Sequence, residues 1–159
     1  MIHTIESFRP VREFLLKSGR KLVFTNGCFD IIHRGHLEYL NEAKSLGHKL
    51  LVGINSDTSV KQLKGADRPV NNELDRAFVI DNLKTVDYVI IFNDETPYNL
   101  IKSVKPDILV KGGDWKPDKI VGSDIVIENG GEVKSLSFID NYSTSAIVKK
   151  IIASSSNER

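Results

Sequence analysis

One cysteine among 159 residues excludes an internal disulfide and any cysteine-rich metal site. A reducing, cytoplasmic setting is the expectation that follows. Proline is scarce, at five residues, and no repeat or Pro/Gly-rich linker interrupts the chain. One domain spanning residues 1–159 is therefore expected. No apolar run approaches the roughly 18 residues that a membrane-spanning helix needs. The start, Met1-Ile2-His3-Thr4-Ile5-Glu6, has no basic stretch leading into an apolar one, so no secretory signal is expected. A charge excess is missing too, with 22 Lys+Arg standing against 21 Asp+Glu. Bulk attraction to nucleic acid or to an anionic membrane is thereby excluded as the main business, and any anion site must be local.

What is present is enough apolar material for a core, at 40% of residues. Phe8, Val11, Phe14 and Leu15 have helical spacing and predict a helix over residues 8–18, stopped by Gly19. Strands are predicted at 21–25, 50–54, 88–92, 108–110 and 132–136. Helices are predicted at 35–45, at 73–83 behind an Asn72 cap, and at 97–104 behind Thr96-Pro97. A last helix runs from a Ser143 cap to Ile152, and the tail after it is expected to fray. The strands are continuously apolar, which marks burial on both faces. Strands alternating with helices then predict an α/β fold, an open parallel sheet of about five strands with helices on both faces.

Such a sheet places its ligand beyond the carboxyl ends of the strands. The first strand runs into Thr25-Asn26-Gly27-Cys28-Phe29-Asp30-Ile31-Ile32-His33-Arg34-Gly35-His36. Here two histidines straddle a glycine at a helix start. Gly35 permits close approach, the helix N-terminus offers free N–H groups, and His33 and His36 add imidazole donors. Together they form a cradle for polyphosphate. The bland alternative makes one histidine a cap and the other a surface residue. Asn26-Gly27 is also a hairpin signal, but no alternating strand follows it. Cys28 lacks a nearby orienting base that would make it a nucleophile. A His-x-x-His zinc site would need Cys28, His48 or His3 as a third ligand, at a spacing that fits no common zinc pattern.

Weaker signals lie at the other strand ends. Lys64 sits in a stretch read as flexible and able to close over a ligand. Arg76 lies on the helix behind Asn72, where a surface pair with Glu73 or Asp75 is the simpler reading. Asn55 and Asp57 follow the second strand, and Lys111-Gly112-Gly113-Asp114 follows the fourth. Ser143-Thr144-Ser145 caps the last helix, with or without a phosphate there.

The stretch from Thr25 to His36 resembles the His-x-Gly-His signature of the cytidylyltransferase-like nucleotidyltransferases. Within that superfamily, residues 20–152 are similar to the heptose 1-phosphate adenylyltransferases. The similarity includes Asn55-Ser56-Asp57, Lys64 through Asn71, Leu109 through Pro117, Gly130 through Val133, and Tyr142 through Ser145. The resemblance implies a Rossmann-like sheet and transfer of AMP from ATP to D-glycero-β-D-manno-heptose 1-phosphate, with release of pyrophosphate, for lipopolysaccharide core biosynthesis. It implies catalytic roles for His33, His36, Lys64 and Arg76. Nucleotide binding falls to Thr25, Asn26, Gly27, Cys28, Phe29, Gly35, Lys111, Ser143, Thr144 and Ser145. The acceptor would meet Asp30, Asn55, Asp57, Gly112, Gly113 and Asp114. Mg2+ would accompany ATP on its phosphates without strong protein ligation, Asp30 helping. Neither nucleic acid nor membrane is an expected partner. A homodimer is expected, with a separate sugar kinase and phosphatase in the pathway, since 159 residues leave no room for a fused kinase. Two alternatives stay open. One is a glycerol-3-phosphate cytidylyltransferase, whose Arg-Thr-Glu-Gly-Ile-Ser-Thr has Phe138 through Thr144 in its place here. The other is a non-catalytic nucleotide-binding module.

Overall fold

A computed structural model of the chain describes residues 1–137 and 142–156, with the side chains of 155 and 156 excepted. Phe138 therefore lies outside the described residues. Among those described, six parallel strands form one sheet in the order β1-β4-β3-β2-β5-β6. They are β1 (Ile2–His3), β2 (Leu22–Gly27), β3 (Lys49–Asn55), β4 (Tyr88–Phe92), β5 (Ile108–Gly112) and β6 (Glu132–Leu136). The α/β, Rossmann-like expectation holds, and every strand end after β1 points to one rim. The short edge strand β1 was not expected; two residues carry no periodicity to read.

Helices α1 (Ile5–Lys17), α2 (Arg34–Ser45), α3 (Asp57–Lys64), α4 (Glu73–Asp81), α5 (Tyr98–Val104), α6 (Ser123–Glu128) and α7 (Thr144–Ser156) connect them. Helix α1 begins earlier than the apolar spacing implied, because Thr4 and Ser7 form a reciprocal capping box. Helix α3 was not expected, and Lys64, read as part of a flexible stretch, is its last residue. The helix is short, and Ser56 starts it by accepting the Ser59 N–H. Asn72 caps α4 as expected, accepting from the Leu74 and Asp75 N–H groups. Pro97, not Thr96, occupies the cap of α5. Helix α7 runs on to Ser156, past the expected end at Ile152, so residues 154–156 are helical where a frayed tail was expected; residues 157–159 lie outside the described residues.

Both sheet faces are covered, which is why the strands are apolar throughout. On one face Leu40 and Ala43 of α2 and Ala77 and Ile80 of α4 pack on Val23, Val52 and Val110. On the other, Phe8 and Leu15 of α1, Ile101 of α5 and Val126 of α6 pack on Phe24, Leu51 and Leu109.

The rim opposite the site is tied by ions. Arg12 of α1 donates through Nη1 to Asp107 Oδ2 at 2.9 Å, through Nη2 to Asp107 Oδ1 at 3.1 Å, and through Nε to the Val104 carbonyl at 3.1 Å. Asp107 also accepts the Leu22 N–H at the start of β2. Replacing Arg12 by Met leaves that part-buried carboxylate unmatched and should lower the unfolding free energy by about 2 kcal/mol, between the exposed-pair and buried-pair limits. Lys21→Ala breaks a pair with Glu132 that is half exposed on both sides, and should leave the unfolding free energy nearly unchanged. Urea unfolding of the two variants checks the contrast.

Candidate functional site

Strand order places the topological switch between β2 and β5. The chain leaves β2 toward β3 and β4 on one side, and toward β5 and β6 on the other. A cavity of about 450 Å³ opens over that crevice. Its wall takes Asn26 through Asp30 from the end of β2, Lys111 and Gly112 from β5, and Lys64 from α3. His36, Asn55 and Thr144 reach it from three other elements.

The loop after β2 is shaped by local constraints. Phe29 has φ +46°, a left-handed conformation costly for a bulky side chain. Its ring lies under Gly27, where an added Cβ would come within 3.0 Å. The same ring stands 5.3 Å from that of His36. Gly35 is needed for contact: a Cβ there would lie 2.9 Å from the Tyr142 Cβ and 3.2 Å from the His33 ring. Helix α2 thus starts with His33 at its cap, which makes no side-chain cap bond. Neither histidine serves the bland capping role.

The His33 and His36 rings stack, with centroids 3.8 Å apart and planes inclined by 23°. Nδ1 of each is shielded from solvent and has no hydrogen-bond partner among the described residues. Burial, then the neighbouring His33 and Lys64, push the His36 imidazole down to about 4. Burial lowers His33 as well. Both rings are therefore neutral donors at neutral pH in the ligand-free protein. Two stacked imidazolium ions without an anion would repel.

Lysines supply the fixed positive charge. Lys64 ends α3 on the cavity wall rather than in a loop. Lys111 is half-buried; burial lowers its ammonium, and Cys28 beside it works the other way. Lys119 also faces the cavity, and no sequence signal had marked it.

Arg76 is corrected more sharply. Its side chain is fully buried, and it does not line the cavity. Nε donates to the Asn71 carbonyl at 2.9 Å, Nη1 to the Cys28 carbonyl at 2.6 Å, and Nη2 to the Asn55 carbonyl and Asp57 Oδ1, both at 2.8 Å. It joins the ends of β2 and β3 instead of meeting a phosphate. Asp57 accepts from that guanidinium through Oδ1, its backbone N–H donates to Glu73, and it does not line the cavity.

Asp30 is likewise committed. Burial would raise its carboxyl, but the Asn71 and Val70 N–H groups and the Arg68 guanidinium hold it below its ordinary value. Arg68 donates to it at 2.7 Å and Asn71 N at 2.9 Å. It pins the 68–71 segment over the site, which removes it as a free metal helper. Among the described residues, no cluster of three or more His, Cys, Asp or Glu side chains could hold a metal ion.

The remaining expected residues divide. Thr25 is fully buried, shares a 2.5 Å hydrogen bond with the Tyr39 hydroxyl and does not itself line the cavity. Gly113, at φ +104°, turns the chain away, and Asp114 is exposed outside the cavity. Trp115 closes that side, its indole N–H donating to the Gly112 carbonyl at 3.1 Å. Thr144 Oγ1 donates to the Ile31 carbonyl at 3.3 Å, bringing the start of α7 to the β2 loop. Ser143 Oγ accepts the Ala146 N–H as a cap, and Ser145 is exposed.

With this geometry the comparisons agree. A family model described as cytidylyltransferase-like matches residues 24–150. The chain belongs to the cytidylyltransferase-like family. It is 53% identical over 150 residues to the bifunctional protein HldE of Nitratiruptor sp., a match covering 94% of this chain and 32% of that protein. It is 52% identical over 146 residues to HldE of Wolinella succinogenes, covering 92% and 30%. The chain thus spans about a third of the length of these relatives. Among solved structures it resembles the lipopolysaccharide core biosynthesis protein from Thermoplasma volcanium GSS1, at TM-score 0.62 and 34% identity, covering 76% of this chain and 98% of that one. Pantoate-beta-alanine ligase from Francisella tularensis, 17% identical with TM-score 0.57 over 86% of this chain and 66% of that one, shares the fold alone.

In this cytidylyltransferase-like chain the folded His36 takes up a proton only near pH 4, while the unfolded chain does so near 6.5. The unfolded state binds more protons between those values, so stability should fall as pH drops from 6.5 toward 4. His36→Asn should flatten that part of the curve. NMR titration of the imidazole should place the wild-type transition near pH 4, and inorganic pyrophosphate should raise it by stabilising the charged form.

Proposed function

We propose that the chain transfers the adenylyl group of ATP, supplied as MgATP, to a sugar 1-phosphate. The leading acceptor is D-glycero-β-D-manno-heptose 1-phosphate, giving ADP-heptose for lipopolysaccharide core. The single observation that carries the reading is the pair of stacked imidazoles at the head of α2, each with a solvent-shielded Nδ1 that has no partner among the described residues, His36 lining a cavity that three lysines also line. The named relatives and the lipopolysaccharide core protein point the same way.

A phosphate monoester has a second pKa near ~6, so the acceptor is already mostly dianionic at neutral pH and needs no general base. Its oxygen attacks the α-phosphorus in line. A new P–O bond forms as the bond to the bridging β-oxygen breaks, and pyrophosphate leaves with the electron pair. The protein's task is to hold two anions together and to meet the charge growing on the leaving group. His33 and His36 donate N–H groups there, and Lys64 and Lys111 offset charge. Asn26 through Phe29, Gly35 and the start of α7 at Ser143, Thr144 and Ser145 would seat the nucleotide, with Gly112 and Asn55 beside the acceptor. Arg76, Asp57 and Asp30 hold these elements in place. Magnesium rides on the triphosphate. The reading carries with it a cytoplasmic enzyme in which residues 1–159 act as one nucleotidyltransferase domain. It also implies a homodimer and, upstream, a sugar kinase and a phosphatase that supply the acceptor.

His36→Ala should lower turnover by roughly 10²-fold or more, the scale of one lost oxyanion donor, with a smaller change in ATP affinity. Pyrophosphate release measures it, and near-normal turnover would overturn the cradle. Cys28→Ser should keep most activity, since direct displacement uses no thiolate; loss of activity in a folded protein, with an adenylyl adduct on the wild-type thiol, would refute that. ATP should outperform CTP at equal concentration. A tenfold or greater CTP preference would instead favour the cytidylyl branch.

A further inference from the structure

The geometry points to Glu95 as the residue that reads hydroxyl groups of the acceptor sugar, an inference resting on the adenylyl-transfer reading above. Two acids reach the cavity wall, Asp30 and Glu95. Asp30 is fully engaged by Arg68, Val70 and Asn71. Glu95 stands solvent-exposed at the rim of the cavity, and among the described residues it has neither a hydrogen bond nor an ion pair, although lysines line the same cavity.

A free carboxylate is out of place in a site for two anions, because it repels both. It is in place where neutral donors must be held. An ionised carboxylate accepts hydrogen bonds from hydroxyl groups more strongly than a neutral acceptor does. The side chains first considered for this task, Asp57 and Asp114, are unsuited: one is paired with Arg76 and the other lies outside the cavity.

The loop that presents Glu95 is fixed on both sides. Ser56 Oγ donates to Asn93 Oδ1 at 2.6 Å, Ser59 Oγ donates to the Asp94 carbonyl at 2.9 Å, and Asn99 Nδ2 donates to Asp94 Oδ2 at 3.1 Å. Downstream, Pro97 caps α5 and accepts the Ile101 N–H at 2.9 Å. Little ordering is left to be done on binding, which favours a recognition contact.

Position in the sheet decides between acceptor and nucleotide. Strand β4 lies two places from β2, on the side away from β5 and β6. The histidine pair stands on the loop after β2, to which Thr144 ties the start of α7. A nucleotide held there leaves the β4 side of the cavity, with Lys64 and Glu95, to the acceptor. Lys64 meets its phosphate and Glu95 its hydroxyls.

The test compares wild type with Glu95→Gln, which keeps the shape and removes the charge. Steady-state kinetics would use D-glycero-β-D-manno-heptose 1-phosphate and its monodeoxy analogues. The variant should lose roughly 10- to 100-fold in kcat/KM for the heptose phosphate, mainly through KM, with KM for ATP within about twofold of wild type. One monodeoxy analogue should cost wild type a similar factor and cost the variant little. A rise in the KM for ATP instead would assign Glu95 to the ribose, and a changed magnesium requirement would assign it to the metal; either overturns the inference, as does unchanged acceptor kinetics. Wild-type pyrophosphate release with the heptose phosphate tests adenylyl transfer itself. Should that release be absent, calorimetric binding of the same sugar phosphate to wild type and variant still decides the role of Glu95, and equal or absent binding refutes it.

Discussion

A buried guanidinium stands at the centre of this architecture. Arg76 reaches from α4 under the rim of the sheet and donates to carbonyls at Cys28, Asn55 and Asn71 and to the Asp57 carboxylate. Those carbonyls belong to the loop after β2, the last residue of β3 and the entrance to α4. Carbonyls at strand ends have no sheet partner, and burying them unpaired would be costly. One planar group with several donors in a fixed fork satisfies them together. The backbone of the loop after β2 is thereby set. Asp30 extends the same logic by gathering the Val70 and Asn71 N–H groups and Arg68, so the 68–71 segment lies against the loop.

With the charges near the crevice paired internally, the groups left to face it have particular characters. The imidazoles are neutral and unpartnered. Lys111 is half-desolvated, so its charge is held in a less polar setting than a surface lysine's. Such groups gain most when an anion arrives, because each is better matched with the ligand than without it. Residues 24–150 match the family model, and among the described residues no cluster of three or more His, Cys, Asp or Glu side chains gathers at the crevice.

Much of the fold was legible in the sequence. Leu50 through Ile54 and Tyr88 through Phe92 are apolar without alternation, and only a strand covered on both faces tolerates that. Asn72 announced α4 through its own side chain. What escaped were elements whose signal is short or shared. Strand β1 spans two residues, α3 is brief and mostly polar, and α6 is under two turns long, so their periodicity never rose above that of a loop. At the crevice, the histidine pair around Gly35 at the head of α2 was legible because its parts are adjacent along the chain and follow a buried strand.

The sequence by itself determined the sheet class, the loop that carries the histidines and the rim on which the cavity opens. All of these depend on residues close together in the chain. Tertiary structure alone decided which ionisable groups are free. Arg76 and Asp57 look like site residues in sequence, yet they pair with each other across 19 positions, and Asp30 is claimed from 40 positions away. The neutral state of His36 likewise comes from its neighbours in space, His33 and Lys64, and from burial. Charge is assigned by proximity and desolvation, and both are set only once the distant strand ends have been brought together.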